Sequence, residues 1–354
     1  MSEALRVHAL APPRAHGLPL SHATLKSVAE DFVVDEVLGF ASDGGVAHRL
    51  VQVEKRGVDT LYAARLLARH AGVAARDVGF AGLKDRHAVA RQWFTVPAGR
   101  LPVDWSTLGD ERIRVLVDEG HSRKLRRGAL RGNRFHLSLR DVHIAPAVLA
   151  QRVALLAKVG APNYFGPQRF GRDGDNITDA IRWAAGGDLP RGREARAFVY
   201  SAARAALFNT VLAARVADGT WATLLAGERV NLAGRNSWFV AEAIDETLVE
   251  RLARHDIHPT GPMPGRGDVP GGEAGLLEAA LLMPYGELIA ALTNDGVEAA
   301  RRALRVVPEG IVASVEGDVV TLSFALPAGS YATMVVRELF DTAVFGEGGE
   351  DAQG

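Results

Sequence analysis

Asp85 has the neighbours that best suit a side chain in this sequence to chemistry. It stands between Lys84 and Arg86 and is followed by His87, inside a run from Gly79 to Val89 whose other members are apolar or small. Cations nearby favour the charged form of a carboxylate, and a carboxylate acting as nucleophile or base must be ionised at working pH. A turn aspartate with flanking surface ion pairs is the commoner role for such a residue. A lone histidine such as His87 is likewise more often a satisfied hydrogen-bonding group than a ligand.

A second feature lies about forty residues on. Between His121 and His136 the chain places Arg123, Lys124, Arg126, Arg127, Arg131 and Arg134 with no acidic residue among them. On a protein of net charge -1 this is a local positive patch, suited to phosphates or to being a solvated face. Other chemistries leave no trace. There is no His-Glu-x-x-His, no Gly-x-x-x-x-Gly-Lys, no dinucleotide fingerprint after a strand and no Gly-x-Ser-x-Gly elbow. Asp173-Gly174-Asp175-Asn176 begins like a calcium loop, but Thr178 stands where the loop needs glycine, so it reads as a turn.

The elements that must hold these residues follow from periodicity. Residues 32–37, 48–53, 92–96, 112–117 and 133–140 read as strands, the last with Phe135, Leu137 and Leu139 on one face and Arg134, His136, Ser138 and Arg140 on the other. Thr60 is the expected N-cap of a helix that Gly72 ends. From about Gly160 the texture turns helical, notably over 198–216, with a Pro- and Gly-rich loop expected over 259–272. After Pro308 strands return, with Leu322, Phe324 and Leu326 alternating, and Ser330 is placed to cap a last helix reaching Thr342. The expected class is α+β: a sheet covered on one side, interrupted by a helical module.

With 354 residues and 47% hydrophobic content, the chain can bury a large core in two domains or in one with an insertion. It has no cysteine, which removes disulfides, thiolate catalysis and Cys-ligated zinc and makes a cytoplasmic location the expectation. Residues 1–20 are interrupted by Pro12, Pro13 and Pro19, unlike a signal peptide, and no segment is expected to supply the roughly eighteen apolar residues of a membrane helix. The tail 346–354 is Gly-rich and acidic and is expected to be disordered.

The run from Phe80 to Val89 resembles the catalytic motif of the TruD pseudouridine synthases. Four other stretches resemble blocks of that family in the same order: Glu30 to Val34, Lys124 to Phe135, Asn163 to Gly171, and Leu326 to Leu339. The resemblance implies a pseudouridine synthase catalytic fold, a mixed and largely antiparallel sheet with flanking helices, over residues 1–159 and 307–345. A family-specific insertion domain would occupy 160–306. It implies uridine at position 13 of tRNA as substrate, no cofactor or metal, and no membrane or obligatory protein partner.

Carried over by motif, Asp85 is the catalytic carboxylate. Phe32, Asn133 and Tyr331 are substrate-contacting positions, with tyrosine at 331 where the family pattern has phenylalanine, and Phe135 lines the site. If Asn133 opens a strand it shares a face with Phe135, setting an amide that can read a uracil edge beside a ring that can stack on it. Without the resemblance, the alternation of Phe135 with Leu137 and Leu139 says core. Lys26, Gln168, Arg169 and Arg172 are expected to reach RNA, with Arg86 and His87 beside the carboxylate. The carboxylate could attack C1′ of the ribose or remove the C2′ proton to give a glycal. Two rival readings use the same residues: an RNA-binding protein without chemistry, and a nucleoside or glycoside hydrolase that pairs Asp85 with another carboxylate.

Overall fold

Runs whose apolar residues recur at every second position build the larger sheet, because successive side chains of a strand point to opposite faces. The computed structural model describes residues 2–99, 103–235, 237–267 and 271–344, so the expected tail at 346–354 lies outside the described residues. The chain divides into two compact units. The sheet unit comprises Pro19–Ala157, Pro308–Gly329 and the described residues from Leu339; the helical unit comprises Met1–Leu18, Lys158–Val307 and Ser330–Glu338.

In the sheet unit the strands are β1 (Ser21–Leu25), β2 (Phe32–Val37), β3 (His48–Arg56), β4 (Gly79–Phe80), β5 (Val89–Pro97), β6 (Ile113–His121) and β7 (Gly132–Arg140). After the excursion into the helical unit come β14 (Glu309–Glu316), β15 (Val319–Pro327) and β16 (Phe340–Val344). The main path runs β14-β15-β7-β2-β5-β3-β6, antiparallel except for β2 with β5, while β1 and β16 pair in parallel beside β7. The sheet is therefore mixed and largely antiparallel. Phe135, Leu137 and Leu139 are buried, as their alternation requires.

Helix α2 (Thr60–His70) packs Ala63, Ala64 and Leu67 against Val51, Val53 and Phe94. Its N-cap is Asp59 rather than Thr60: the Asp59 carboxylate accepts the Tyr62 N–H at 2.6 Å, leaving Thr60 in the first turn with its hydroxyl buried.

Two glycines are required where the sheet meets the motif segments. A Cβ on Gly79 would lie 2.5 Å from the Leu125 carbonyl oxygen, and one on Gly132 would lie 2.2 Å from that of Leu326. Gly132→Ala must push β7 from β15, at a cost of about 3 kcal/mol by overpacking. The thermal midpoint should fall by roughly 6–12 °C, at about 2–4 °C per kcal/mol for a unit of this size. An unchanged midpoint would mean the strands yield freely.

The helical unit centres on α5 (Arg193–Ala217), whose Ala202, Ala206, Leu207 and Phe208 are fully buried. Around it lie α1 (Ser2–Leu10), α4 (Asp175–Ala184), α7 (Gly272–Leu282), α8 (Gly286–Asn294) and a four-stranded sheet, β10-β9-β11-β12 (Trp238–Ala241, Glu228–Leu232, Ile257–Met263, Ala300–Ala303). A short ladder joins β8 (Ala161–Pro162) to β13 (Arg305–Val306).

Residues 2–18 and 330–338 group with this unit, because Leu5, Ala9 and Met334 enter its core. Several expectations about individual elements are corrected. The last helix is only α9 (Ala332–Arg337), with Tyr331 at its N-cap, because Phe340 and its successors are drawn into β16 by pairing with β1. The loop placed at 259–272 begins instead inside β11. The Asp173–Asn176 turn is a short 3₁₀ segment running into α4. Two helical stretches, Ala195–Ala217 and Gly272–Asn294, are also long and apolar enough by composition to cross a bilayer, where none was expected. In the first, whose apolar window is 67% buried, alanine and leucine of this core give that hydropathy; the second window is only 33% buried, sending Leu282, Tyr285, Leu288 and Leu292 into the same cluster while Leu276 and Met283 stay exposed.

Candidate active site

Asp85 sits in the loop between β4 and β5, a segment with little secondary structure of its own, so its position depends on side chains from neighbouring elements. Gln92 on β5 donates from Nε2 to the Gly82 carbonyl at 2.7 Å, and Thr60 at the start of α2 accepts the Lys84 N–H at 2.9 Å. Thr60 in turn donates to Gln92 Oε1 at 3.0 Å. Below them Lys55 on β3, fully buried, donates to the Val58 carbonyl at 2.7 Å and to the main-chain carbonyl of Asp85 at 3.0 Å. Burial brings the Lys55 ammonium down to about 8, against the pull of Asp85 and Asp59. These polar groups fix the loop from beneath. Every one of them is bonded, as buried polar groups must be.

The carboxylate itself is 24% exposed. Its Oδ1 accepts the His87 N–H at 2.9 Å, and its Oδ2 forms a close ion pair with Lys26, whose side chain is almost wholly buried. Burial pushes the Asp85 pKa up, but the charge and hydrogen bond of Lys26, the His87 amide and the His87 ring outweigh it, so the group lies below the usual carboxylate range. Lys26 also lies 4.6 Å from the centre of the Phe32 ring and has φ of 63°, a left-handed conformation that a lysine adopts only when its surroundings impose it. Here they do. Lys26 faces the Asp85 carboxylate.

Three other sequence-derived residues line the same unit. Phe32 and Phe135 meet edge to face at 6.0 Å, and Phe135 also lies 5.6 Å from Phe324 and is only 6% exposed, so most of its ring belongs to the core. Asn133 shares its face and receives a hydrogen bond from Lys84 Nζ at 2.5 Å. Arg86 and His87 are exposed beside Asp85. Gln168, Arg169, Arg172 and Tyr331 belong to the helical unit: Gln168 and Arg172 are exposed, and Arg169 donates to the Tyr331 hydroxyl at 2.9 and 3.1 Å and to Ser201 at 3.2 Å. The Tyr331 ring meets Phe165 edge to face at 6.2 Å.

The basic run folds onto the motif loop. Leu125 N–H donates to the Thr95 hydroxyl at 2.8 Å, Gly128 N–H to the Ala81 carbonyl at 2.7 Å, and the Arg127 guanidinium lies 4.0 Å from the centre of the Phe80 ring. Arg123, Arg126, Arg127, Arg131 and Arg134 remain exposed. An ionised carboxylate, a cation beside it, an aromatic cluster and an exposed basic loop therefore share one unit. That set can act at a sugar carbon or its protons while holding a polyanion. Glu36, Lys55, Thr60 and Gln92 are the residues of this site that motif reading did not name.

Comparison with known proteins gives a consistent set of likenesses. A family model described as tRNA pseudouridine synthase D (TruD) matches residues 16–179 and 190–339. Over 332 residues the chain is 44% identical to the tRNA pseudouridine synthase D of Methylococcus capsulatus, covering 93% of this chain and 94% of that one. It is 46% identical over 338 residues to the protein of the same name from Pseudomonas putida, covering 95% and 96%. The crystal structure of a Methanosarcina mazei protein assigned as a tRNA pseudouridine synthase D matches with a TM-score of 0.71 at 20% identity, over 96% of this chain and 98% of that one. At that identity the likeness speaks for the fold.

Proposed function

Because this chain belongs to the tRNA pseudouridine synthase D (TruD) family, it isomerises uridine to pseudouridine in tRNA, and we propose that Asp85 is the carboxylate that carries the reaction. The N1–C1′ bond breaks and a C5–C1′ bond forms; C5 loses a proton and N1 carries one in the product. Composition is unchanged and no electrons are transferred, so the chemistry asks for no redox partner. The observation that carries the assignment is the Lys26–Asp85 pair, which keeps a partly exposed carboxylate ionised. An ionised Asp85 suits either attack on C1′ or removal of the C2′ proton.

The substrate position is taken as uridine 13, and the compartment as the cytoplasm. A stacked uridine must be extruded before C1′ can be reached, and phosphate and aromatic contacts offset that cost of a few kcal/mol. Within the sheet unit Phe32, Asn133 and Phe135 are proposed as substrate contacts together with Lys26, Arg86 and His87; within the helical unit Tyr331, Gln168 and Arg169 are each proposed as substrate contacts. Residues 160–306, the bulk of the helical unit, are proposed as the insertion domain. Site-resolved mapping of pseudouridine in tRNA incubated with the protein tests the assignment. New pseudouridine at position 13 is expected; free uracil would mark a hydrolase, and binding without product a passive RNA-binding protein.

The exposed basic loop supplies a second measurement. Replacing Arg126 and Arg127 by glutamate should weaken tRNA binding by roughly tenfold or more and lower the steepness of the log–log salt dependence by about one to two. The Asp85 loop would still be held from beneath by Lys55 and Gln92. Unchanged affinity and slope would make the loop a solvated face.

A further inference from the structure

The Asn133 amide is gripped from one end only. Lys84 Nζ donates to its Oδ1 at 2.5 Å and lies 3.1 Å from Glu36 Oε1. The Glu36 carboxylate is fully buried, its other oxygen accepts the Trp93 N–H at 2.9 Å, and Glu36 stands directly across from Asn133 in the β2–β7 register. An ammonium has three donors and no acceptor, so Lys84 can hold only the oxygen end of an amide. The amide nitrogen of Asn133 meets no hydrogen-bond partner among the described residues. We propose that Lys84, set by Glu36, is a positioning residue that fixes the Asn133 amide with its nitrogen toward the substrate, so that the site offers a uracil carbonyl a donor and never an acceptor.

This rests on the reading of Asn133 as a base contact, and the symmetry of uracil shows why such a fixed donor suits the reaction. Turning the base half a revolution about its N3–C6 axis exchanges N1 with C5, which the isomerisation needs, and also exchanges O2 with O4. A donor placed for one carbonyl therefore meets the other after the turn, with no rearrangement of the protein. Cytosine carries an amino group at C4, so in one of its two orientations it would set a donor against the Asn133 nitrogen. A buried polar group facing its own kind discriminates strongly because neither partner can be satisfied.

Turnover of a tRNA transcript by Asn133→Ala, Lys84→Met and the double variant tests the proposal. Asn133→Ala should lower kcat/KM by roughly thirtyfold and Lys84→Met by roughly tenfold, the scale of a lost oriented hydrogen bond. If Lys84 acts through Asn133, adding Lys84→Met to Asn133→Ala costs less than about twofold more, a coupling that a merely structural role would not produce. Lys84→Met alone strands the buried Glu36 charge and could unfold the protein, so Glu36→Gln with Lys84→Met, which removes both charges, is measured alongside. That pair should melt within a few degrees of the parent and show the same tenfold loss. Additive losses of about three-hundredfold in the double variant would overturn the positioning role, as would a Glu36→Gln, Lys84→Met protein with parental turnover. Asn133→Ala at the parental rate would overturn the base contact itself. Asp85→Asn with intact turnover would instead remove the catalytic assignment, an outcome distinct from either.

Discussion

Asp85→Asn is expected to keep the fold and the affinity for tRNA while lowering turnover roughly ten-thousandfold or more, the scale of removing a reacting group. Asparagine has the shape of aspartate, and its carbonyl oxygen can still accept the His87 N–H that now reaches Oδ1. The loop beneath does not depend on the side chain, because Lys55 holds the main-chain carbonyl of residue 85 and Gln92 holds Gly82. What is lost is the negative charge, whether it would have attacked C1′ or taken the C2′ proton. The buried Lys26 ammonium loses its counter-charge, so a modest drop in thermal midpoint should accompany the change. Single-turnover assays with tRNA, paired with a binding isotherm, separate the two effects. A variant that binds normally and turns over within tenfold of the parent would remove Asp85 from its role.

The strand that carries Asn133 and Phe135 was legible because β7 alternates without interruption, and a half-covered sheet imposes that period on its strands. The motif loop was legible as a candidate because its charges stand side by side in sequence. Its partners were not. Lys26 lies 59 residues from Asp85 and Lys84 lies 49 from Asn133, and no periodicity reports contacts of that separation.

A weaker signal was nonetheless present. Glu36 falls in phase with Phe32 and Val34 on β2, and Lys55 in phase with Val51 and Val53 on β3, so each places a charge on the apolar face of its strand. A charge on a buried face must be paired or functional. The helix expected to reach Thr342 failed for a related reason. Residues 340–344 are claimed by pairing with β1 near the start of the chain, and tertiary pairing overrides a local helical pattern. Phe135 shows the limit in the other direction: its burial between Phe32 and Phe324 makes it a core residue as well as a proposed site residue, and the two roles have the same sequence signature.

Lys26→Met should lower turnover at pH 7 by roughly a hundredfold or more, the scale of removing one oriented electrostatic contact from a site, and should do so in a pH-dependent way. Methionine fills much of the same buried volume, so the space beside Phe32 stays packed while the ammonium goes. In the parent, burial pushes the Asp85 pKa up, and the charge and hydrogen bond of Lys26 together with the His87 amide and ring outweigh it. Without Lys26 the burial contribution stands less opposed, so the pKa must rise. The active form is the ionised one. Activity is therefore present above the pKa and falls as pH drops through it, and raising the pKa moves the acid limb of the kcat/KM profile to higher pH. Relative to the parent, the variant should be most impaired near pH 6 and recover part of its deficit by pH 9. Rates measured across that range, with binding followed in parallel, decide the matter. A deficit of the same size at every pH, with the acid limb unmoved, would mean that Lys26 holds the loop or the substrate and does not set the charge state of Asp85.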